Sequence, residues 1–209
     1  MTDHRVDLAA FLSGASIDAA VAALRPDYRA LLIAVDGFDP HTDKNGSEAL
    51  LVRAEETARD LLAETPVEEL PHVAAWREAY RAFGAKRQRT HNSLEALVRR
   101  AGAPESGLPR VNALTDLYNA ISIIHQVPLG GEDLNAYVGA PRLVRATGAE
   151  AFDTVAGGEP VVEHPDAGEV VWCDDTSATC RRWNWRQAGA PSSPTKPPRR
   201  CSSSTLSSR

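Results

Sequence analysis

Cysteine is scarce in this sequence: among 209 residues there are only three, Cys173, Cys180 and Cys201. None lies in a CxxC motif or in a Cys/His pattern with metal-ligand spacing, which argues against a structural zinc site. Cys173 and Cys180 can face each other across a predicted hairpin, but packed, reduced thiols are favoured over a disulfide in a reducing cytosol. We therefore expect no metal, no cofactor and no nucleophilic role for Cys180.

Long hydrophobic runs are also absent. The longest apolar stretches, such as Ala30–Val35, fall far short of the roughly 20 residues that a membrane-spanning helix needs. The N-terminus carries Asp3, His4, Arg5 and Asp7 where a secretory signal would be basic and then apolar. These absences predict a cytoplasmic protein with no membrane partner, and they leave its oligomeric state open.

Signatures of nucleotide binding and of a catalytic triad are missing as well. There is no P-loop, and the adjacent Gly157 and Gly158 precede no predicted helix. The histidines are scattered, and His125, on the strongest predicted core helix, is expected to be a buried histidine with satisfied hydrogen bonds.

Apolar periodicity and cap residues predict an ordered alternation of helices and strands, which indicates an α/β fold. Helices are predicted at 16–24, 47–63, 71–84, 92–102 and 108–126, and strands at 28–35, 143–145, 161–163 and 170–173. After Pro128, the glycines Gly130 and Gly131 indicate a turn. A content of 43% hydrophobic residues can bury the core of one domain with a small appendage.

The segment 168–187, GEVVWCDDTSATCRRWNWRQ, holds three of the four tryptophans and reads as a hairpin. If 179–186 is one strand, Arg182, Asn184 and Arg186 share one face, and Arg181, Trp183 and Trp185 share the other. Two interpretations remain open. The arginines stack on tryptophans at a sheet edge, or the strand presents a surface that meets a phosphate or carboxylate.

Basic residues are concentrated between Arg77 and Arg110, although the net charge is −5. This segment has eight lysines and arginines against three acids, so a positive surface can survive on an acidic protein and attract one phosphate backbone. A solvated helix face explains the charges equally well. The predicted RNA-binding residues are Arg77, Arg81, Lys86, Arg87 and Arg89.

Polar residues also interrupt the predicted helix at 108–126. Asn112, Thr115, Asp116 and Asn119 include pairs three and four residues apart. Their amide and carboxylate groups either line one edge of a pocket or face solvent.

Five segments, taken in order, carry a resemblance to a known family. They are WREAYRAFG (76–84), SLEALVRRA (93–101), LPRVNALTDLYNAISI (108–123), VPLGGEDL (127–134) and CRRWNWRQ (180–187). Together they resemble the B3/B4 domain of the phenylalanyl-tRNA synthetase beta subunit, and more closely its free-standing, single-domain relatives. The resemblance covers about residues 28–187.

This resemblance implies an α/β domain with helices packed on a mixed sheet, and aminoacylated tRNA as the partner. In the synthetase, the pocket of this domain hydrolyses the ester of tRNA mischarged with tyrosine, by positioning and polarisation rather than by a strong nucleophile. Asn119 of TDLYN matches the asparagine of the corresponding helix, whereas Gly130 falls where the synthetase has a histidine.

Two functions follow as hypotheses. One is hydrolysis of mischarged aminoacyl-tRNA in trans, with Asn119, Arg181, Asn184 and Arg186 as the candidate catalytic residues. The other is a non-catalytic RNA-binding or interaction module with the same fold. Convergence of these four residues on one pocket favours the first, and scattering over the surface favours the second.

The domain organisation predicted is an N-terminal helical segment (1–27), a B3/B4-like domain (28–187) and a tail (188–209). The tail is rich in Pro, Ser and Arg without apolar periodicity, so it is expected to lack regular structure. The family continues into strands there, so the C-terminal strand region is expected to be truncated. Codons for PTKPPRRCSSSTLS can be chosen so that a shifted frame reads DETTSALFVLDAL, which makes a frameshifted C-terminus a hypothesis.

Overall fold

A computed structural model of the chain describes residues 7–37, 44–85, 91–103, 107–188 and 203–208. Its helices are α1 (Leu8–Ser13), α2 (Ala19–Leu24), α3 (Lys44–Glu64), α4 (Pro71–Ala82), α5 (Ser93–Gly102) and α6 (Ala113–His125). Its strands are β1 (Ser16–Ile17), β2 (Ala30–Ala34), β3 (Leu129–Asp133), β4 (Arg142–Arg145), β5 (Phe152–Ala156), β6 (Glu159–Glu163), β7 (Val170–Cys173), β8 (Ala178–Arg181), β9 (Arg186–Gln187) and β10 (Ser203–Ser208). The predicted α/β fold is confirmed.

The described strands form two sheets and a separate hairpin. The larger sheet has five strands in the order β1-β4-β7-β8-β9, and it is mixed because β1 runs parallel to β4 while the other neighbours are antiparallel. The smaller sheet has the order β2-β10-β3, and β5 pairs with β6 alone. The segment 1–27, predicted to be helical, therefore also contributes strand β1 to the larger sheet.

Cap residues explain where two helices begin. The Asn112 side chain accepts a hydrogen bond from the Thr115 amide at 2.9 Å, so α6 begins at Ala113 and not at 108 as predicted. Asp18 caps α2 in the same way through the Ala20 amide at 2.7 Å, which leaves the two residues of β1 outside the helix.

The described residues form three apolar core clusters. The first joins α3, α5 and α6 through residues such as Leu51, Leu94, Val98 and Ile123. The second packs the aromatic face of α4 on the larger sheet, with Trp76, Tyr80, Trp172 and Trp183. The third lies under the β5–β6 hairpin around Phe152 and Val171. The prediction that His125 is buried is wrong: it lies exposed at the end of α6, outside all three clusters.

The glycines after Pro128 do not form the predicted turn. Gly130 and Gly131 lie inside β3, where their Cα partners on β10 are Leu206 and Thr205. Pairing with β10 overrides the turn preference of glycine, because the backbone N–H and C=O groups of β3 form hydrogen bonds to that strand.

Part of the tail is a strand, which differs from the expectation of a tail without regular structure. Residues 203–208 form β10, which runs antiparallel to both of its neighbours, with Leu206 opposite Leu32 and Gly130. The facing edges of β2 and β3 present N–H and C=O groups to the segment between them. The hydrogen bonds to these two edges outweigh the weak strand preference of serine. Residues 189–202 lie outside the described part of the chain.

Candidate functional site at the 182–185 turn

The predicted strand over 179–186 is interrupted, so the expected alternation of its side chains is wrong. β8 ends at Arg181 and β9 begins at Arg186, its partner in the register, with a four-residue turn between them. Arg182 and Trp183 have φ angles of 47° and 68°, in the left-handed region. For residues with a side chain this conformation costs roughly 1–2 kcal/mol each, so the surrounding structure must hold it.

Burial and hydrogen bonds hold this turn. The Trp183 side chain is 1% exposed within the aromatic cluster, and its amide donates to the Val170 carbonyl at 2.7 Å. The Glu169 carboxylate accepts the Arg182 amide at 3.0 Å. The turn therefore folds back onto β7 and drives a tryptophan into the protein instead of leaving it on a sheet face.

Arg181 is occupied by ion pairs. Its guanidinium donates to both oxygens of Glu169, at 3.0 and 2.8 Å, and to Glu163 at 2.9 Å. It also lies 5.8 Å from the centroid of the Phe152 ring. The hydrogen bonds to Glu169 raise the pKa of Arg181 above its usual range. This arginine is 6% exposed, so its geometry serves the fold and offers no open site for an anion.

Asn184, Arg182 and Trp185 make contacts within the protein as well. The Tyr80 hydroxyl donates to the Asn184 side-chain oxygen at 2.7 Å, while the buried amide nitrogen of Asn184 has no acceptor among the described residues. The Arg182 guanidinium stacks on the Trp185 ring at 4.3 Å, as the cation–π interpretation requires. The side chain of Arg186 lies outside the described part of the structure.

A cavity of about 270 Å³ lies beside this turn. It is lined by Arg25, Tyr28, His72, Ala75, Trp76 and Trp183, among others. Tyr28 and Trp183 meet edge to face with ring centroids 4.9 Å apart, and Trp76 and Trp183 do so at 5.4 Å. Three residues distant in the sequence thus form one aromatic wall, and no local pattern in the sequence indicated it.

The rim of the cavity carries a neutral charge pair. Arg25 donates to both oxygens of Asp27, at 2.7 and 2.5 Å, and to the Ala75 carbonyl at 2.8 Å. The hydrogen bonds from Arg25 lower the pKa of Asp27 to about 2. Inside the cavity, burial raises the pKa of Tyr28 above its usual range, so its hydroxyl stays neutral.

Asn119 lies elsewhere, on α6. The polar edge of this helix has a structural explanation in part, because Asn112 caps the helix and Asp116 accepts the Val111 amide at 2.9 Å. Asn119 is a buried residue, with 9% of its surface exposed. No described hydrogen bond links Asn119 to the partners of Arg181 or Asn184. Asn119 is also not among the residues that line the cavity.

A buried carboxyl group that the sequence did not single out follows α6. Glu132 on β3 accepts a hydrogen bond from the Tyr137 hydroxyl, which lies 3.2 Å from the Thr179 hydroxyl on β8. This contact joins the two sheets. Burial raises the pKa of Glu132 to about 7, so the group titrates near neutral pH.

Several basic residues of the segment 77–110 form ion pairs with acidic residues, so the segment offers less free positive charge than its residue count indicates. Arg77 donates to both oxygens of the buried Glu95, which also accepts from Arg99 at 3.0 Å. Arg110 pairs with Glu48 and Glu55. Arg81 is exposed at the end of α4 and has no ion pair to another described residue. Lys86, Arg87 and Arg89 lie outside the described residues.

The described residues show neither a candidate metal site nor a membrane-spanning helix. They contain no group of three or more His, Cys, Asp and Glu side chains that can hold a metal ion, and no helix long and apolar enough to cross a membrane. Cys173 and Cys180 are buried thiols, and burial raises the pKa of Cys173 to about 12, which disfavours the nucleophilic thiolate.

Comparison with models of known protein families gives a match. The family model of the B3/4 domain matches residues 75–193, from the second turn of α4 past the 182–185 turn. No curated protein matches the chain. Arg25 and Tyr28, which line the aromatic cavity, precede the matched region. Because the match spans more than half of the 209 residues, the chain belongs to the B3/4 domain family.

Proposed function

We propose that this protein is a free-standing tRNA-associated domain that hydrolyses the ester bond of mischarged aminoacyl-tRNA in trans. The observation that carries the proposal is the B3/4 match over residues 75–193, which includes α6 with Asn119 and the 182–185 turn. The match supports association with tRNA, and the hydrolytic activity is the further step that we propose.

Two groups on neighbouring elements suit ester hydrolysis. The reaction requires a polar group that orients the ester and a proton acceptor for the attacking water. Asn119 is a buried residue of α6, and Glu132 on the following strand has a pKa raised by burial to about 7. A carboxyl group with this pKa is half ionised near neutral pH, where it can accept a proton. We assign Arg181 to the fold instead, because Glu169 and Glu163 occupy its guanidinium.

The RNA contact is proposed at the C-terminal end of α4 and the segment after it, through Arg81, Lys86, Arg87 and Arg89. Arg77, predicted with them, is held against Glu95 by two hydrogen bonds of 2.9 and 2.6 Å. Its charge is largely neutralised within the protein, so it contributes less to the attraction of a phosphate backbone.

A non-catalytic RNA-binding module is the second candidate, and the geometry of the hairpin favours it. Arg181 and Asn184 point to different partners, Glu169 and Tyr80, and neither hydrogen bonds with Asn119. The described candidate residues therefore do not share one polar site, as a catalytic set would.

Hydrolysis assays with a panel of mischarged tRNAs test the proposal. The wild-type chain should release the amino acid from at least one member faster than spontaneous hydrolysis, and Asn119→Ala should remove this activity while tRNA binding persists. Glu159→Gln, which changes an exposed carboxylate on β6, is the control and should retain the activity. Binding of tRNA without hydrolysis of any panel member would instead establish the non-catalytic module.

A further inference from the structure

The aromatic cavity beside the 182–185 turn has no part in the proposed hydrolysis. It lies between α4, the α2–β2 connection and Trp183, and Asn119 and Glu132 are not in its lining. Part of its wall, Arg25 to Tyr28, comes from residues outside the family match. The cavity is therefore a feature built jointly by the B3/4 region and the N-terminal segment of this chain.

We propose that this cavity binds one unstacked nucleobase of single-stranded RNA; the choice of RNA as partner rests on the proposed function. The walls are aromatic, with Tyr28, Trp76 and Trp183 arranged edge to face at centroid distances of 4.9–6.0 Å. Proteins that hold single-stranded RNA place unstacked bases against such side chains.

The size of the cavity limits the ligand to a single ring system. Its volume of about 270 Å³ lies below the roughly 300–1,000 Å³ of sites for drug-sized ligands. A monocyclic or bicyclic base fits this scale, whereas a nucleotide with its sugar and phosphate must leave those groups at the mouth.

The charges at the rim favour a neutral ring with polar edges over a phosphate. Arg25 is neutralised by Asp27 and its third described hydrogen bond goes to the Ala75 carbonyl, so it offers little net attraction to an anion. Asp27 and the exposed His72 place hydrogen-bonding atoms beside the aromatic walls. The donors and acceptors on a base edge match such atoms, whereas a purely apolar side chain leaves them without partners.

The backbone also indicates that the position of Trp183 matters. Arg182 and Trp183 adopt the left-handed conformation, with φ of 47° and 68°, and the result is a tryptophan ring in the cavity wall. Strained backbone conformations persist where the surrounding structure enforces them, and they concentrate at ligand sites.

The test measures binding of the single-stranded trinucleotide UUU to the full chain by the change in tryptophan fluorescence. Ala75→Leu fills the cavity from α4 and should weaken binding at least tenfold. Ala74→Leu, at the exposed neighbouring position outside the described lining, is the matched control and should bind as the wild type does. Melting temperatures of both variants establish that they fold.

A trinucleotide whose three nucleotides are all abasic separates the bases from the backbone, and it should bind at least tenfold more weakly than UUU. Equal binding of the abasic form, or equal binding by a folded Ala75→Leu variant, would overturn the proposal. Binding of an aromatic amino acid amide in place of UUU would also overturn it. Hydrolysis is not measured in this experiment, so loss of the base site and loss of the proposed deacylation are distinguishable.

Discussion

Glu132 should make the stability of this protein fall as the pH rises from about 4.5 to about 7. Its carboxyl group is buried between the two sheets, where burial raises the pKa from 4.5 to about 7. In this window the folded chain holds a proton that the unfolded chain has released, so each increase in pH favours unfolding. The contribution is fully present below pH 4.5 and is lost above pH 7.

The size of the effect follows from the shift in pKa. One pKa unit corresponds to about 1.4 kcal/mol, so a shift from 4.5 to about 7 makes the free energy of unfolding about 3 kcal/mol smaller above pH 7 than below pH 4.5. Glu132→Gln places a neutral group of the same shape at this position and removes the titration. The variant should therefore gain about 3 kcal/mol relative to the wild type across this window.

Urea unfolding of both chains at pH 4.5, 5.5, 6.5 and 7.5 measures this difference directly. Glu159→Gln removes an exposed carboxylate from β6 and serves as the control with the same change in charge. A difference between wild type and Glu132→Gln that stays constant with pH would refute the assignment of Glu132 as a buried, protonated group.

Three further predictions follow from other parts of the chain. Replacing Lys86, Arg87 and Arg89 with alanine should weaken tRNA binding and flatten its salt dependence by roughly one log–log unit for each phosphate that is no longer bound; an unchanged slope contradicts the RNA contact. Glu95→Gln should lower the free energy of unfolding by about 2 kcal/mol, because the buried Glu95 carboxylate accepts hydrogen bonds from two arginines. The control is Glu68→Gln: Glu68 is half-exposed and pairs with Arg99 at the surface, so this change should cost less than about 1 kcal/mol in the same melts. Deleting residues 189–209 should lower the melting temperature, because it removes the strand between β2 and β3. Equal melting temperatures of the full and the shortened chain would show that the tail is an appendage. A chain with the shifted frame restored should melt at a higher temperature than both.

The helices could be predicted because their signals are local. The apolar periodicity and caps of α3, α4 and α5 lie within each segment, so their existence follows from neighbouring residues alone. The same locality explains one error. Gly130 and Gly131 carry a turn signal, and only pairing with β10 makes them part of a strand.

The candidate site could be predicted less well, because charges and rings find partners far along the chain. The spacing of RRWNWR correctly marked an unusual hairpin, yet the alternation inferred for it failed at the left-handed Arg182 and Trp183. Arg181 has the chemistry of an anion site, and its pairing with Glu169 and Glu163 decides otherwise.

The sequence by itself determined the family, the main helices and the hairpin, because ordered motifs and periodicity are properties of short segments. The tertiary structure decided which polar groups are available for function. It neutralised Arg77 against Glu95, and it brought Tyr28, Trp76 and Trp183 into one cavity wall. Ion pairs and aromatic contacts depend on distance in space, and the order of residues along the chain does not specify that distance until the fold is formed.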